Sequence, residues 1–121
     1  MISYGLYKVI HILGLILLFS GLGGVLLAYA TGTPKGSAKL AGFLAHGLGL
    51  LFLIVSGFGM AARLGYGGNL PMWIYAKLGV WLIMGLAISV AKRKAKMAVP
   101  LILIFAAWGT VAAWLALYKP F

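Results

Sequence analysis

The sequence predicts an all-α integral membrane protein, folded as a four-helix up-down-up-down bundle. Three observations lead there. Apolar residues fill 64% of the 121 positions and the mean hydropathy is +1.14, more apolar surface than a soluble core of that length can hide. These residues fall into four runs, each of the length a helix needs to cross a bilayer. The runs are joined by short Gly-, Pro- or Lys-containing segments, and short connections between spanning helices force antiparallel neighbours. One domain covering residues 1–121 follows.

The first span is expected over about residues 3–30, interrupted only by Lys8 and His11. It is too long, and its start too poor in basic residues, to read as a cleaved signal peptide. Residues 31–37, Thr-Gly-Thr-Pro-Lys-Gly-Ser, form the first loop, with Ser37 placed to cap the next helix. The second span covers about 38–62 and closes near Arg63, before the flexible turn Gly65-Tyr66-Gly67-Gly68-Asn69. The third opens at Pro71, a residue tolerated in a first turn, and runs to about Val90, closing on Lys92-Arg93-Lys94-Ala95-Lys96. The fourth covers about 97–118. Pro100 lies near its start, where backbone N–H groups have no intrahelical partner.

Charge sets topology and excludes chemistry. Ten Lys and Arg stand against no Asp or Glu, a net charge of +10. In so apolar a chain this points to the lipid bilayer and its anionic lipids, not to nucleic acid. Lys35, Lys39, Lys92, Arg93, Lys94 and Lys96 fall on the side of the first and third loops, and Lys8, Arg63, Lys77 and Lys119 on the other. The positive-inside bias then puts those two loops in the cytoplasm and both termini of this multi-pass protein on the non-cytoplasmic face. Without carboxylates the chain cannot build paired-acid hydrolysis, an aspartyl phosphate, a hard-cation site or an acidic proton relay. The absence of cysteine removes thiolate sites and disulfides. Two histidines, the lysines, tyrosines and tryptophans remain as actors.

Small residues mark the packing faces. Gly14, Gly21 and Ala28 recur every seven residues in the first span, and Gly42, Ala45, Gly49, Ser56 and Gly57 mark the second, so this pair is expected to pack closely. Ala106, Gly109, Ala112, Ala113 and Ala116 mark the fourth.

The polar residues inside the spans carry the functional reading. Lys77, within Trp73-Ile74-Tyr75-Ala76-Lys77-Leu78, lies roughly 9 Å beyond the start of its helix at 1.5 Å per residue, and the chain offers it no carboxylate. Lys8 and His11 share a stripe of the first helix, with His11 about 12 Å from Ser3 by helix rise. The first and third helices start on the same side, so Lys8, His11 and Lys77 can share one pocket. His46 enters from the opposite side, and an intrachain pair of axial ligands from His11 and His46 is disfavoured by that offset. A hydrogen bond to a neighbouring helix accounts for His46, and accounts for His11 equally with a ligand role. Lys77 also reads as a side chain snorkelling to the headgroups.

In the functional reading, Lys8, His11 and Lys77 form a cationic pocket on the non-cytoplasmic side, lined by Trp73, Tyr75 and Trp81. Aromatics near helix starts are more often interfacial anchors. Such a pocket suits an anionic ligand. A porphyrin brings propionates for the lysines, a metal for the neutral imidazole of His11 and an apolar ring for the walls.

Lys8-Val9-Ile10-His11, Ala45-His46 leading to Ser56-Gly57, and Trp73-Ile74-Tyr75-Ala76-Lys77-Leu78 with Ala91-Lys92-Arg93 resemble the SirB family of small four-span bacterial membrane proteins. Gly49 stands where such sequences often carry an Asp three residues after the second-span histidine. The Lys-x-x-His start and the Trp-to-Lys-Leu segment are also similar to the HemJ-type protoporphyrinogen oxidases. That second resemblance implies haem b, a ligand role for His11 and a functional role for Lys77. Two function classes follow: a haem- or porphyrin-binding membrane protein with His11, Lys77, Lys8, Trp73, Trp81 and His46 as candidate cofactor residues, and a non-catalytic accessory subunit. In the second, unneutralised cations meet carboxylates of a larger membrane complex or homo-oligomer, or anionic lipids.

Overall fold

The computed structural model describes residues 2–32 and 36–119, apart from the side chain of Ala38. The described residues form four helices, α1 (Tyr4–Thr31), α2 (Gly36–Arg63), α3 (Met72–Arg93) and α4 (Ala98–Tyr118), with one 3₁₀ turn (Ala95–Met97) before α4 and no strand. All four are long and apolar enough to cross a membrane, which makes this a multi-pass membrane protein by length and composition.

The helix ends have local causes. α1 is capped by Ser3, whose Oγ accepts the Leu6 N–H at 3.2 Å. α2 already includes Gly36, so Ser37 lies inside the helix and not at its cap; Thr33, Pro34 and Lys35 of the expected loop lie outside the described residues. Pro71 is the N-cap of α3, one residue before its first turn, with its carbonyl accepting from Ile74 N–H at 3.1 Å. α3 continues past residue 90 to Arg93, because the Lys94 N–H still reaches the Val90 carbonyl at 2.8 Å. α4 ends on Lys119, whose φ of +46° is the left-handed cap usually given to glycine; its N–H bonds the Leu115 carbonyl at 3.0 Å.

α1 and α2 form the closest pair, an antiparallel hairpin brought together by glycines. A β-carbon at Gly14 would stand 3.1 Å from the Gly49 carbonyl oxygen, and one at Gly42 2.8 Å from Val25 Cγ2. At Gly21 it would run into the backbone of His46 and Gly42, and at Gly49 into that of Leu18 and Gly14. Apolar solvent gives helices no hydrophobic reason to associate, so this backbone approach and its dispersion contacts hold the hairpin.

The adjoining face of α1 builds the core. Leu18, Leu22 and Leu26 pack with Val80, Met84, Ala87 and Ala91 of α3, Ala95 of the 3₁₀ turn, and Leu101, Phe105 and Leu115 of α4. Ala87, Ala91 and Ala95 repeat every four residues, so α3 and the turn after it present a flat face to the α1 leucines. Toward the termini, side chains change size. α3 turns Trp73, Lys77 and Trp81 inward, while α4 offers Gly109, Ala112, Ala113 and Ala116, and the helices enclose a cavity.

Candidate functional site: a cavity at the terminal end of the helices

The cavity has a volume of about 270 Å³ and takes walls from all four helices. Its polar lining includes His11 of α1, Lys77 of α3 and Lys119 at the end of α4; Leu15, Phe19, Trp73 and Trp81 supply much of the apolar surface.

His11 is oriented by α2. Its Nδ1 lies 2.9 Å from Ser56 Oγ. Ser56 is fully buried and has one proton, which it gives to the Phe52 carbonyl one turn earlier at 2.5 Å. The Ser56 oxygen therefore accepts, and His11 donates through Nδ1–H. In the neutral ring the lone pair then belongs to Nε2, which no hydrogen bond of the described residues occupies. Gly57 leaves room beside the ring: a β-carbon there would stand 3.8 Å from His11 Cε1, ordinary contact. Tyr7, one turn earlier on α1, lies with its ring directly on Gly59, where any β-carbon would collide with it.

Lys77 is partly buried and lines the same cavity as His11. Among the described residues it has no hydrogen-bond acceptor, and the chain has no acidic side chain to offer. Trp81, one turn further along α3, donates from Nε1 to the Leu50 carbonyl of α2 at 3.0 Å, which fixes the indole as a wall. Trp73 is 9% exposed and is held on two sides: Tyr66 meets it edge-on at 6.3 Å between centroids, and Lys119 Nζ sits 5.5 Å above its ring. Lys119, left-handed at the end of α4, itself lines the cavity.

The structure thus gathers His11, Lys77, Trp73 and Trp81 around one space. Lys8 is exposed and does not line it, and Tyr75 likewise faces outward. Lys119 supplies the second lysine instead. Sequence pattern puts it on the same side as Lys77 but not in the site, because the residue lies just beyond the last helix, where helical periodicity fixes no direction. The small residues of α4 serve two purposes. Gly109 packs against Phe19 of α1 and Ala112 against the core, as a packing face requires, and with Ala113 and Ala116 they also form the α4 wall of the cavity.

His46 stands apart. It is 3% exposed, beneath the cavity floor, with Nδ1 3.4 Å from the Leu18 carbonyl of α1. Its Nε2 has no partner among the described residues. Since His46 packs at the level of Leu18 and Gly21, helix rise separates it from His11 by about 10–15 Å along the bundle. That is too far for both rings to hold one metal. Nor do the described residues contain any group of three or more His, Cys, Asp or Glu side chains arranged to hold a metal ion.

Chemically, the cavity offers one oriented imidazole lone pair, two lysines and aromatic walls. Comparison of the chain with protein-family models, with curated proteins and with solved structures returned no match.

Proposed function

We propose that this chain is a membrane protein that binds an amphipathic anionic ligand in the His11–Lys77 cavity, and that haem b or a related porphyrin is the ligand. The observation that carries the reading is the Ser56–His11 hydrogen bond, which leaves Nε2 of a neutral imidazole available in the same cavity as two lysines that have no acid to pair with. His11 would hold the metal, Lys77 and Lys119 the propionates, and Trp73, Trp81, Leu15 and Phe19 the ring faces. The volume lies just under the roughly 300–1,000 Å³ usual for small-molecule sites, so a whole macrocycle needs part of its edge turned to lipid or a slight parting of the helices. When bound, such a group supplies redox or gas-ligand chemistry. The residues of this chain orient it, neutralise its carboxylates and keep water from it.

The excess of basic residues on the first- and third-loop side supports a cytoplasmic position for those loops, with the cavity opening on the other face of the bacterial inner membrane. The test is the visible absorption spectrum of gently solubilised protein before and after dithionite. A Soret band and sharpened reduced α and β bands that disappear in His11→Ala, with assembly intact, are expected. Haem retained by that variant would sink the reading.

A second reading has its own observation. The lipid-facing surfaces of all four helices are broad, and +10 charges have no internal acid. A non-catalytic subunit of a larger membrane complex, or of a homo-oligomer, would use partner carboxylates or anionic lipids to neutralise Lys77 and Lys119. Co-purification with larger proteins in mild detergent supports it, and a lone, stable, colourless species counts against it.

A further inference from the structure

At the opposite end from the cavity, α3 and α4 are joined by a turn that gathers charge. Ala95 is buried against the core and pins the 3₁₀ turn beneath the end of α1. Lys92, Arg93, Lys94 and Lys96 are thereby thrown outward around it, all exposed. Together with Tyr29, from the last turns of α1, they line a recess of about 470 Å³. None of the four cations has a hydrogen-bond or ion-pair partner among the described residues, and no acid exists in the chain to provide one. Topology signals need charges, but they do not need a recess with a tyrosine from a second helix at its edge.

We infer that this recess binds the headgroup of an anionic glycerophospholipid carrying two phosphates, of the diphosphatidylglycerol type. The headgroup chemistry follows from charge: four cations within five consecutive residues leave a single phosphodiester greatly outnumbered, and two linked phosphates match the recess more closely. That the anion is a lipid follows from position. The recess lies at the ends of helices long enough to cross a membrane, exposed Met97 is part of its lining, and by helix rise the exposed apolar side chains Leu27 on α1, Val90 on α3 and Val99 on α4 lie within about a turn of its level. Acyl chains have apolar surface to lie against within a turn or two of the phosphates. Tyr29 offers a hydroxyl donor at the same level. The inference rests on the chain lying in a membrane and is independent of what fills the cavity at the other end.

The test uses the full chain in neutral detergent, titrated separately with diphosphatidylglycerol, phosphatidylglycerol and inorganic pyrophosphate, with binding read by native mass spectrometry and by the shift in thermal unfolding. Detergent removes any effect of the charges on insertion topology. Saturable binding of one diphosphatidylglycerol, tighter than phosphatidylglycerol, is expected. Affinity should fall about fivefold for each cation removed, so K92Q/K94Q loses about 25-fold and K92Q/R93Q/K94Q/K96Q several hundred-fold. K8Q and K39Q, which remove charges elsewhere, should bind as the parent does. Three results would overturn the inference: equal affinity for the two lipids, an equal loss in K39Q, or pyrophosphate binding as tightly as the lipid, which would make the recess a site for a soluble anion. If the fourfold variant fails to fold, the K92Q/K94Q pair carries the same decision. The Soret spectrum, if present, should not change in any of these variants, which separates this result from the fate of the haem proposal.

Discussion

His11 and Ser56 face each other across the α1–α2 interface at 2.9 Å, and the proton that joins them comes from the histidine. A hydroxyl committed to its own helix thereby sets the tautomer of an imidazole on another. The close approach of the hairpin, made by Gly14, Gly21, Gly42 and Gly49, is what brings the two within reach.

Ser56→Ala removes the acceptor. A polar pair between helices in a membrane contributes about 0.6 kcal/mol, so the fold should survive with a small loss. Metal-porphyrin affinity should fall about 10–100-fold, the usual effect of deleting a group that orients a metal ligand. Haem titration of Ser56→Ala beside Ser56→Thr checks this, since threonine keeps the hydroxyl and should restore most of the binding.

Gly21→Ala and Gly49→Ala each drive a methyl into the backbone of the facing helix. A loss of about 1–3 kcal/mol in reversible unfolding in mixed micelles is expected, the ordinary range for overpacking. Gly23 and Gly47 have nothing within 4 Å of the added carbon. Alanine there should be neutral or stabilise by up to about 1 kcal/mol through helix propensity. Equal effects at all four sites would contradict the hairpin geometry.

Lys119 both caps α4 in a left-handed conformation and places its Nζ over Trp73. Lys119→Gly keeps the backbone conformation at no steric cost and deletes the cation. Its unfolding midpoint should equal or exceed the parent's while affinity for a dicarboxylate porphyrin falls. Lys119→Arg should retain binding, with a cation still over the indole. Porphyrin titration followed by absorbance distinguishes the two.

His46→Leu replaces a buried ring whose one hydrogen bond is long and whose other nitrogen has no partner. Losing a weak bond and removing an unsatisfied atom offset one another, so the change in stability should stay within about 1 kcal/mol. The visible spectrum should be that of the parent, in contrast to His11→Ala. A spectral change in His46→Leu would place this residue at the cofactor after all.

Much of the architecture was legible because membrane solvent leaves few choices. Four uninterrupted apolar runs can satisfy their backbone in hydrocarbon only as helices, and the heptad-spaced glycines of α1 and the glycines of α2 could serve only a close neighbour. Lys77 stood out as an amino group in an apolar run with no acidic side chain in the chain, although snorkelling also accounted for it, and helix rise set the level of His11 near its own. Ser56 was visible as a small residue, but its role as the acceptor for His11 depended on which residue of α1 stood opposite. No periodicity fixes that.

What the sequence by itself determined is an all-helical chain with four helices long enough to cross a bilayer, an unneutralised set of cations, and the depth of each polar residue along its own helix. Depth follows from a rise that every helix shares. Only the tertiary structure decided azimuth and partners. It turned Lys8 outward, set Lys119 over Trp73, sent His46 beneath the cavity floor, and placed the small residues of α4 both against Phe19 and along the cavity wall. Rotation of one helix about its axis depends on the side chains of its neighbours, which are remote in sequence and adjacent only once the bundle has packed.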